Sequence, residues 1–201
     1  DDTAQRVIDA TLAQLDSAGT SQWTGYSFAW LANLRARNRD GEGAREALRI
    51  FAEAFVSVNS FHLNGDQTAK GYSYFHYRPV TLEGNFAFAA GVQEMLLQSR
   101  KGQIEVFPAV PADWQDVSFE HLRADGAILV SAVRAGGRLR ELQLEAEKNT
   151  GWVYVTGDFS GSKTETQRFS LSKAELGKYD AKRHAWAVRL KAGGRISYVL
   201  K

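Results

Sequence analysis

The spacing of the apolar residues changes once along this 201-residue chain, and that change limits the fold more than any other feature. Up to about residue 99, apolar residues recur three and four positions apart, as in Phe28, Leu31 and Leu34, which predicts amphipathic helices. From about residue 103, apolar and polar residues alternate, as in "RELQLEAE" and "AWAVRL", which predicts strands with one packed face. The sequence therefore predicts four helices followed by a β domain.

Turn-forming segments divide the two regions further. The segments "SAGTSQ", "RDGEG" and "QSRKGQ" follow the first, second and fourth predicted helices. The tetrapeptide "AGGR" occurs at 135–138 and again at 192–195, and its paired glycines predict a hairpin turn at both places. With the seam near "FPAVPADW", we expect a helical domain over 1–102 and an antiparallel β-sandwich over 103–201.

Composition excludes several classes of function. The formal charge of +2 is too small and too evenly spread for nucleic-acid binding, and no run of about 20 apolar residues predicts a membrane span. Cysteine is absent, so disulfides and thiol catalysis are excluded. The histidines lack the spacing of metal sites, and no loop fits a dinucleotide or phosphate, so we predict neither a metal nor a cofactor.

One connection is unusually long. The stretch "SFHLNGDQTAKGYSYFHYRPVTLEG", residues 60–84, joins the third and fourth predicted helices, and connections of this length are usually functional or disordered. Its aromatic content argues against disorder. The aromatic rings and histidines either pack the loop onto its own domain or line a sugar-binding cleft. They are Phe61, His62, Tyr72, Tyr74, Phe75, His76 and Tyr77.

Glu83 closes this connection and precedes the fourth predicted helix. Asn85 is a plausible N-cap for that helix, which would place Glu83 just outside its positive end. A carboxylate there is suited to act as a base. The alternative is that Glu83 only complements the helix dipole, which would stabilise the helix by roughly 0.3–1 kcal/mol.

Three blocks of sequence, in order, resemble one known family. "TGYSFAWLANLRARNRDGEGAREAL" at 24–48, "LEGNFAFAAGVQEMLLQS" at 82–99 and "GQIEVFPAVPADW" at 102–114 look like the C-terminal part of a glycoside hydrolase family 95 protein. That family consists of inverting α-L-fucosidases and also includes α-L-galactosidases. The resemblance implies that this chain supplies the last helices of an (α/α)6 catalytic barrel, followed by the family's β domain.

The resemblance also implies roles for individual residues. The family's general base is an Asp in an Asp-Gly-Asn-Phe motif, and this chain has Glu83 at that position. Tyr77 stands where the family usually has a histidine, with His76 beside it. The general acid and the helper asparagines of the family lie upstream of the first residue of this chain.

We therefore expect a carbohydrate substrate near the base. The residues expected to bind it are Trp23, Tyr26, His76, Tyr77 and Asn85. The start "DDTAQRVIDA" has neither a methionine nor a signal sequence, so we expect a processed or excised piece of a longer protein. Its partner would then be the missing N-terminal part of the same protein, without which apolar helix faces would stay exposed. Family resemblance points to a periplasmic or extracellular location.

Two alternatives stand beside the hydrolase. The first is a relative that kept the fold and a sugar-binding cleft but lost efficient catalysis. The second is a structural or interaction module that works through its β domain, with Trp152, Tyr154 and Trp186 as an exposed platform.

Overall fold

The computed structural model describes residues 2–159 and 161–200, which form two compact units over 1–92 and 93–201. The order of elements confirms helices first and a mostly β region second. The helices are α1 (Asp2–Ala18), α2 (Gly25–Arg37), α3 (Gly41–Ala54) and α4 (Glu83–Leu96). None of the described helices is long and apolar enough to cross a membrane. An (α/α)6 barrel has more helices than this chain contributes, so that part of the fold prediction stays a prediction.

Small side chains let α2 and α3 pack closely. Their buried faces are rich in alanine, and an aromatic cluster of Phe28, Phe51 and Phe55 fills the space beside them. The rings of Phe28 and Phe55 have centroids 5.1 Å apart. Burial of each such ring is worth about 1.5–3 kcal/mol, so this cluster gives the pair of helices a core of its own.

A side-chain hydrogen bond and a closely packed glycine hold helix α4 against its neighbours α2 and α3. The side-chain amide of Asn33 donates to the carbonyl of Ala87 at 2.8 Å. Gly91 faces both neighbours, because a Cβ there would lie 3.3 Å from Leu48 and 3.4 Å from Ala32. Helix α4, which was predicted to be amphipathic, therefore has one face in contact with both α2 and α3.

Helix α1 is largely exposed. Of its described residues only Leu12 is buried, whereas Val7 is 61% exposed and Ile8 is 45% exposed. An ion pair of 2.5 Å between Asp16 and Arg35 ties its end to α2. That a missing N-terminal segment covers these residues stays a prediction.

The β region begins before the predicted boundary at 103. Helix α4 is followed directly by β1 (Leu97–Arg100), so the segment predicted to be a turn contains a strand. The next strands are β2 (Gln103–Val106), β3 (Val117–Ala124), β4 (Ile128–Ala135), β5 (Arg138–Ala146) and β6 (Val153–Thr156). A 3-10 helix (Lys163–Arg168), β7 (Phe169–Asp180) and β8 (Ala185–Val199) complete the described part of this unit.

The eight described strands belong to one sheet, where two packed sheets were expected. The order is β1-β2-β6-β8-β5-β4-β3, and β7 also pairs with β8. The two ends of that order approach each other, since the amide of Asp125 after β3 donates to Ser99 Oγ on β1 at 2.9 Å. The sandwich is therefore not confirmed: the sheet is single and nearly closed. One pairing, β2 with β6, is parallel, which corrects the prediction of a wholly antiparallel sheet.

The enclosed side of this sheet forms a continuous apolar core. Its members alternate along the strands, as the sequence pattern predicted, and include Ile104, Val130, Leu144, Val155, Val188 and Ile196. Strand β8 connects the two halves, because residues 185–188 pair with β6 and residues 194–199 pair with β5.

The two copies of "AGGR" adopt different structures. In the first copy, β4 ends at Ala135 and β5 begins at Arg138, so Gly136 and Gly137 form the predicted two-residue turn with φ of 57° and 74°. The second copy lies inside β8, so the hairpin predicted there is wrong. Ala174 of β7 pairs with Leu190 of β8, and Ser172 pairs with Arg195. The stretch between these two pairs is therefore longer on β8 than on β7, which is a β-bulge.

The bulge gives Gly193 and Gly194 distinct roles that substitution should separate. Gly193 has φ of 69° and open space around it, so Gly193→Ala should cost about 1–2 kcal/mol through backbone strain alone. A Cβ on Gly194 would lie 2.5 Å from the carbonyl oxygen of Lys173, so Gly194→Ala should cost more because the main chain must move. Urea unfolding of the two variants measures this order, and equal losses would contradict it.

Candidate active site

The side chain of His62 brings together three parts of the helical unit. Its ring lies between Gly25 at the start of α2 and Gly84 at the start of α4, and a Cβ on either glycine would come within 2.5 Å of it. The ring also stacks against Phe51 of α3, with centroids 5.2 Å apart. His62 is fully buried. The long connection is therefore anchored where the N-termini of α2 and α4 meet.

Glu83, the predicted base, is the first residue of α4 and is exposed. The prediction that Asn85 is the N-cap of this helix is therefore wrong, because Asn85 lies within the first turn. Its side chain bonds to the loop and not to the helix end: Oδ1 accepts from the His62 amide at 2.9 Å, and Nδ2 donates to the Ser60 carbonyl at 2.8 Å. Asn85 thus ties the loop to the helix that carries Glu83.

A buried carboxylate organises the centre of the connection. Asp66 is 2% exposed, and its Oδ1 accepts from the amide of Thr68 at 2.8 Å and from its hydroxyl at 2.7 Å. Its Oδ2 accepts from the amide of Tyr72 at 3.1 Å. Burial raises the pKa of Asp66, but these hydrogen bonds outweigh burial and hold the pKa below its ordinary value.

Hydrogen bonds of the main chain and of side chains close the loop around this carboxylate. The amide of Gly65 donates to the carbonyl of Tyr77 at 3.0 Å, and the Nδ1 of His76 bonds the carbonyl of Asp66 at 2.9 Å. Arg78 donates to the side chain of Gln67 at 2.7 Å. The connection is therefore an ordered loop held by polar contacts, as functional loops without regular secondary structure usually are.

The sequence left open whether the aromatic residues of the loop pack onto their own domain or line a cleft, and the structure shows both partly buried and exposed rings. Tyr72 packs against Phe28, with ring centroids 6.4 Å apart, and Phe75 is partly buried. Tyr74 is 73% exposed and Tyr77 is 45% exposed. Some rings therefore pack the loop onto its domain, while others, with the exposed His76, remain open to a ligand.

The start of α2 lies beside this loop. The amide of Gly25 donates to the carbonyl of Asn64 at 3.2 Å, and the amide of Tyr74 donates to the carbonyl of Ser21 at 2.8 Å. Trp23 is half-buried against Phe28. Tyr26, in the first turn of α2, is 40% exposed. The structure thus brings the segments that hold all the predicted sugar-binding residues into one region, and their contact with a sugar stays a prediction.

The platform predicted on the β region is not formed as expected. Trp186 is buried, and its indole Nε1 donates to the carboxylate of Glu165 at 3.0 Å. Trp152 and Tyr154 lie on the other side of the strands, beneath the guanidinium groups of Arg189 and Arg183. Because alternate residues of a strand face opposite ways, Trp186 cannot share a surface with that pair.

Sequence reasoning missed the roles of His62 and Asp66. Asp66 followed two positions later by Thr68 is a typical Asx-turn pattern, which could have been recognised. The place of His62 depends on two glycines far from it in sequence, for which no local signal exists. Among the described residues, no group of three or more His, Cys, Asp and Glu could hold a metal ion.

Comparisons with known proteins match both regions of the chain to one family. Residues 1–96 match the model of the "Glycosyl hydrolase family 95 catalytic domain", and residues 98–192 match the "Glycoside hydrolase family 95, C-terminal domain". The chain is also similar to "Alpha-L-fucosidase 2" from Arabidopsis thaliana, at 31% identity over 144 residues, or 71% of this chain. The matched stretch spans 16% of the length of that plant protein.

The Asp66 contacts should control the order of the loop. Asp66→Ala leaves the amides of Thr68 and Tyr72 without their acceptor, which costs about 1–3 kcal/mol for each unsatisfied group that stays buried. Amide hydrogen exchange over residues 67–76 should accelerate at least tenfold. Asp66→Asn, which keeps one acceptor oxygen, should have a smaller effect, and unchanged exchange in Asp66→Ala would contradict the assigned role.

His62 should make stability depend on pH. Burial lowers the pKa of His62, although its bond to Thr81 and the nearby charge of Glu83 partly oppose that shift. The unfolded chain therefore binds a proton more readily, with a pKa near the usual ~6.5, and stability should fall as pH drops below about that value. Thermal unfolding between pH 5 and 8 should show a smaller acid loss in His62→Asn, and equal losses would contradict the prediction.

Proposed function

Because the chain belongs to glycoside hydrolase family 95, we propose that it is the C-terminal part of an inverting enzyme that removes terminal α-L-fucosyl or related α-L-galactosyl residues from glycans. The name of the plant relative supports the fucosyl substrate. The observation that carries the proposal is the carboxylate of Glu83. It is exposed at the first turn of α4, within the stretch matched by the catalytic-domain model, and hydrogen bonds from His62 hold Thr81 and Asn85 on either side of it.

Inverting hydrolysis requires two carboxyl groups with different tasks. One protonates the leaving oxygen, and the other removes a proton from a water that attacks the opposite face of the sugar, at a separation of about 6.5–9.5 Å. Glu83 takes the second task. The family resemblance implies a general acid upstream of this chain, so we propose that the complete protein supplies it there.

The loop and the start of α2 supply the sugar contacts. Exposed rings present flat apolar faces that suit the C–H face of a pyranose, and Tyr77, Tyr74 and Tyr26 are the exposed tyrosines on these segments. Trp23 and His76 border the same region, and Asn85 holds the loop against the helix of the base. From the family resemblance we further propose a periplasmic or extracellular location.

Replacing Glu83 by glutamine tests the base directly. In the complete protein, Glu83→Gln should lower kcat by about 100-fold or more with little change in KM, because the amide keeps the shape but cannot accept a proton. The substrate is 4-nitrophenyl α-L-fucopyranoside, with the α-L-galactopyranoside beside it. Glu94→Gln, on the same helix, is the matched control and should keep full activity. A Glu83→Gln variant with more than about a tenth of the wild-type kcat would assign the base elsewhere. A complete wild-type protein that binds the glycoside without hydrolysing it would instead identify a sugar-binding relative.

Two further measurements address stereochemistry and side-chain length. Azide added to an inactive Glu83→Ala variant should restore turnover and yield the glycosyl azide of inverted configuration, detected by NMR. Glu83→Asp should lower kcat by about 10- to 100-fold, because the fixed main chain cannot restore the lost methylene and misplacement of about 1 Å has an effect of that order. Retained configuration in the wild-type product would exclude the inverting mechanism.

A further inference from the structure

The bonds of His62 converge on the segment that carries Glu83. The Nδ1 of His62 lies 3.0 Å from the carbonyl oxygen of Thr81 and 2.8 Å from its hydroxyl. The amide of Thr81 donates back to the carbonyl of His62 at 3.2 Å, and the amide of His62 donates to Asn85 Oδ1 at 2.9 Å. One residue therefore holds the chain two positions before Glu83 and two positions after it.

These contacts define which nitrogen of His62 carries the proton. The Thr81 carbonyl can only accept, and the Thr81 hydroxyl donates to Asn64 Oδ1 at 3.2 Å, so both oxygens require a donor at Nδ1. The other ring nitrogen, Nε2, is buried and has no hydrogen-bond partner among the described residues. The ring is therefore a neutral imidazole with Nδ1–H.

The enclosure of the ring excludes a direct part in proton transfer. His62 is fully buried, with glycines on two sides and Phe51 stacked on it. Neither substrate nor water reaches the ring along these contacts. Its geometry suits one purpose, which is to fix the position of the main chain from Thr81 to Asn85.

We propose that His62 is a positioning residue for Glu83, acting through the Nδ1–H bond to Thr81. This proposal rests on the proposed function of Glu83 as a base. In an inverting enzyme the base must be held at a fixed distance from the anomeric carbon, and a shift of about 1 Å lowers the rate about 100-fold. The glycines at positions 25 and 84 are needed for the same positioning, because any side chain there would displace the ring of His62.

The test uses two amides of different length in the complete protein. In His62→Asn the side-chain NH2 takes the place of Nδ1 and keeps the donor to Thr81, whereas in His62→Gln the NH2 takes the place of Nε2 and the donor is lost. We expect kcat on the 4-nitrophenyl glycoside to fall about 10- to 100-fold in His62→Gln and His62→Ala, with KM nearly unchanged. His62→Asn should stay within about threefold of wild type.

A double-mutant cycle separates positioning from loss of folding. If His62 acts through Glu83, His62→Ala should cause no further loss of kcat in a Glu83→Gln background, since there is no base left to misplace. Thermal unfolding verifies that each variant is folded at the assay temperature. Amide exchange over residues 82–86 gives a readout independent of activity and should accelerate in His62→Ala and His62→Gln but not in His62→Asn.

The possible outcomes are distinct. Equal activity and equal exchange in the asparagine, glutamine and alanine variants would overturn the proposal, as would an additive loss in the double variant. If Glu83→Gln is inactive and His62→Ala is fully active, only the positioning role is wrong. If Glu83→Gln itself retains activity, the assignment of the base fails, and the positioning role fails with it.

Discussion

Burial of one imidazole ring between two glycines is the contact on which the arrangement of the helical unit depends. The starts of α2 and α4 can both approach His62 only because Gly25 and Gly84 lack side chains. Hydrogen bonds from the same residue then fix the main chain on both sides of Glu83. A fully buried polar ring is tolerated here because its Nδ1–H donor is satisfied and because burial lowers the pKa of His62, which favours the neutral form.

The long loop shows how a segment without regular secondary structure can still be ordered. Its main chain makes isolated β-bridges and scattered main-chain bonds, and side-chain oxygens supply further acceptors: the buried carboxylate of Asp66 accepts bonds from Thr68 and Tyr72. Exposed rings such as Tyr74 and Tyr77 therefore project from a loop with an ordered main chain. A rigid loop with projecting aromatic rings loses little entropy when a ligand binds to it.

In the β unit the corresponding constraint is the long strand β8. It pairs with β6 at one end and with β5 at the other, and a bulge between Leu190 and Arg195 separates the two regions. Bulges bend a strand and increase its twist, which allows one sheet to enclose a core. The buried bond from Trp186 to Glu165 lies on this enclosed side, which is why that tryptophan is unavailable as a surface platform.

The sequence by itself determined the helical and strand regions, the ordered aromatic loop and the glycine turn at 135–138, because each depends on residues close together in the chain. It also determined Glu83 as the candidate base through family resemblance. The second "AGGR", the single nearly closed sheet and the place of His62 depended on partners far away in sequence. The same tetrapeptide is a turn where two strands end and a bulge where Lys173 lies opposite, so only long-range pairing in the tertiary structure decided between them.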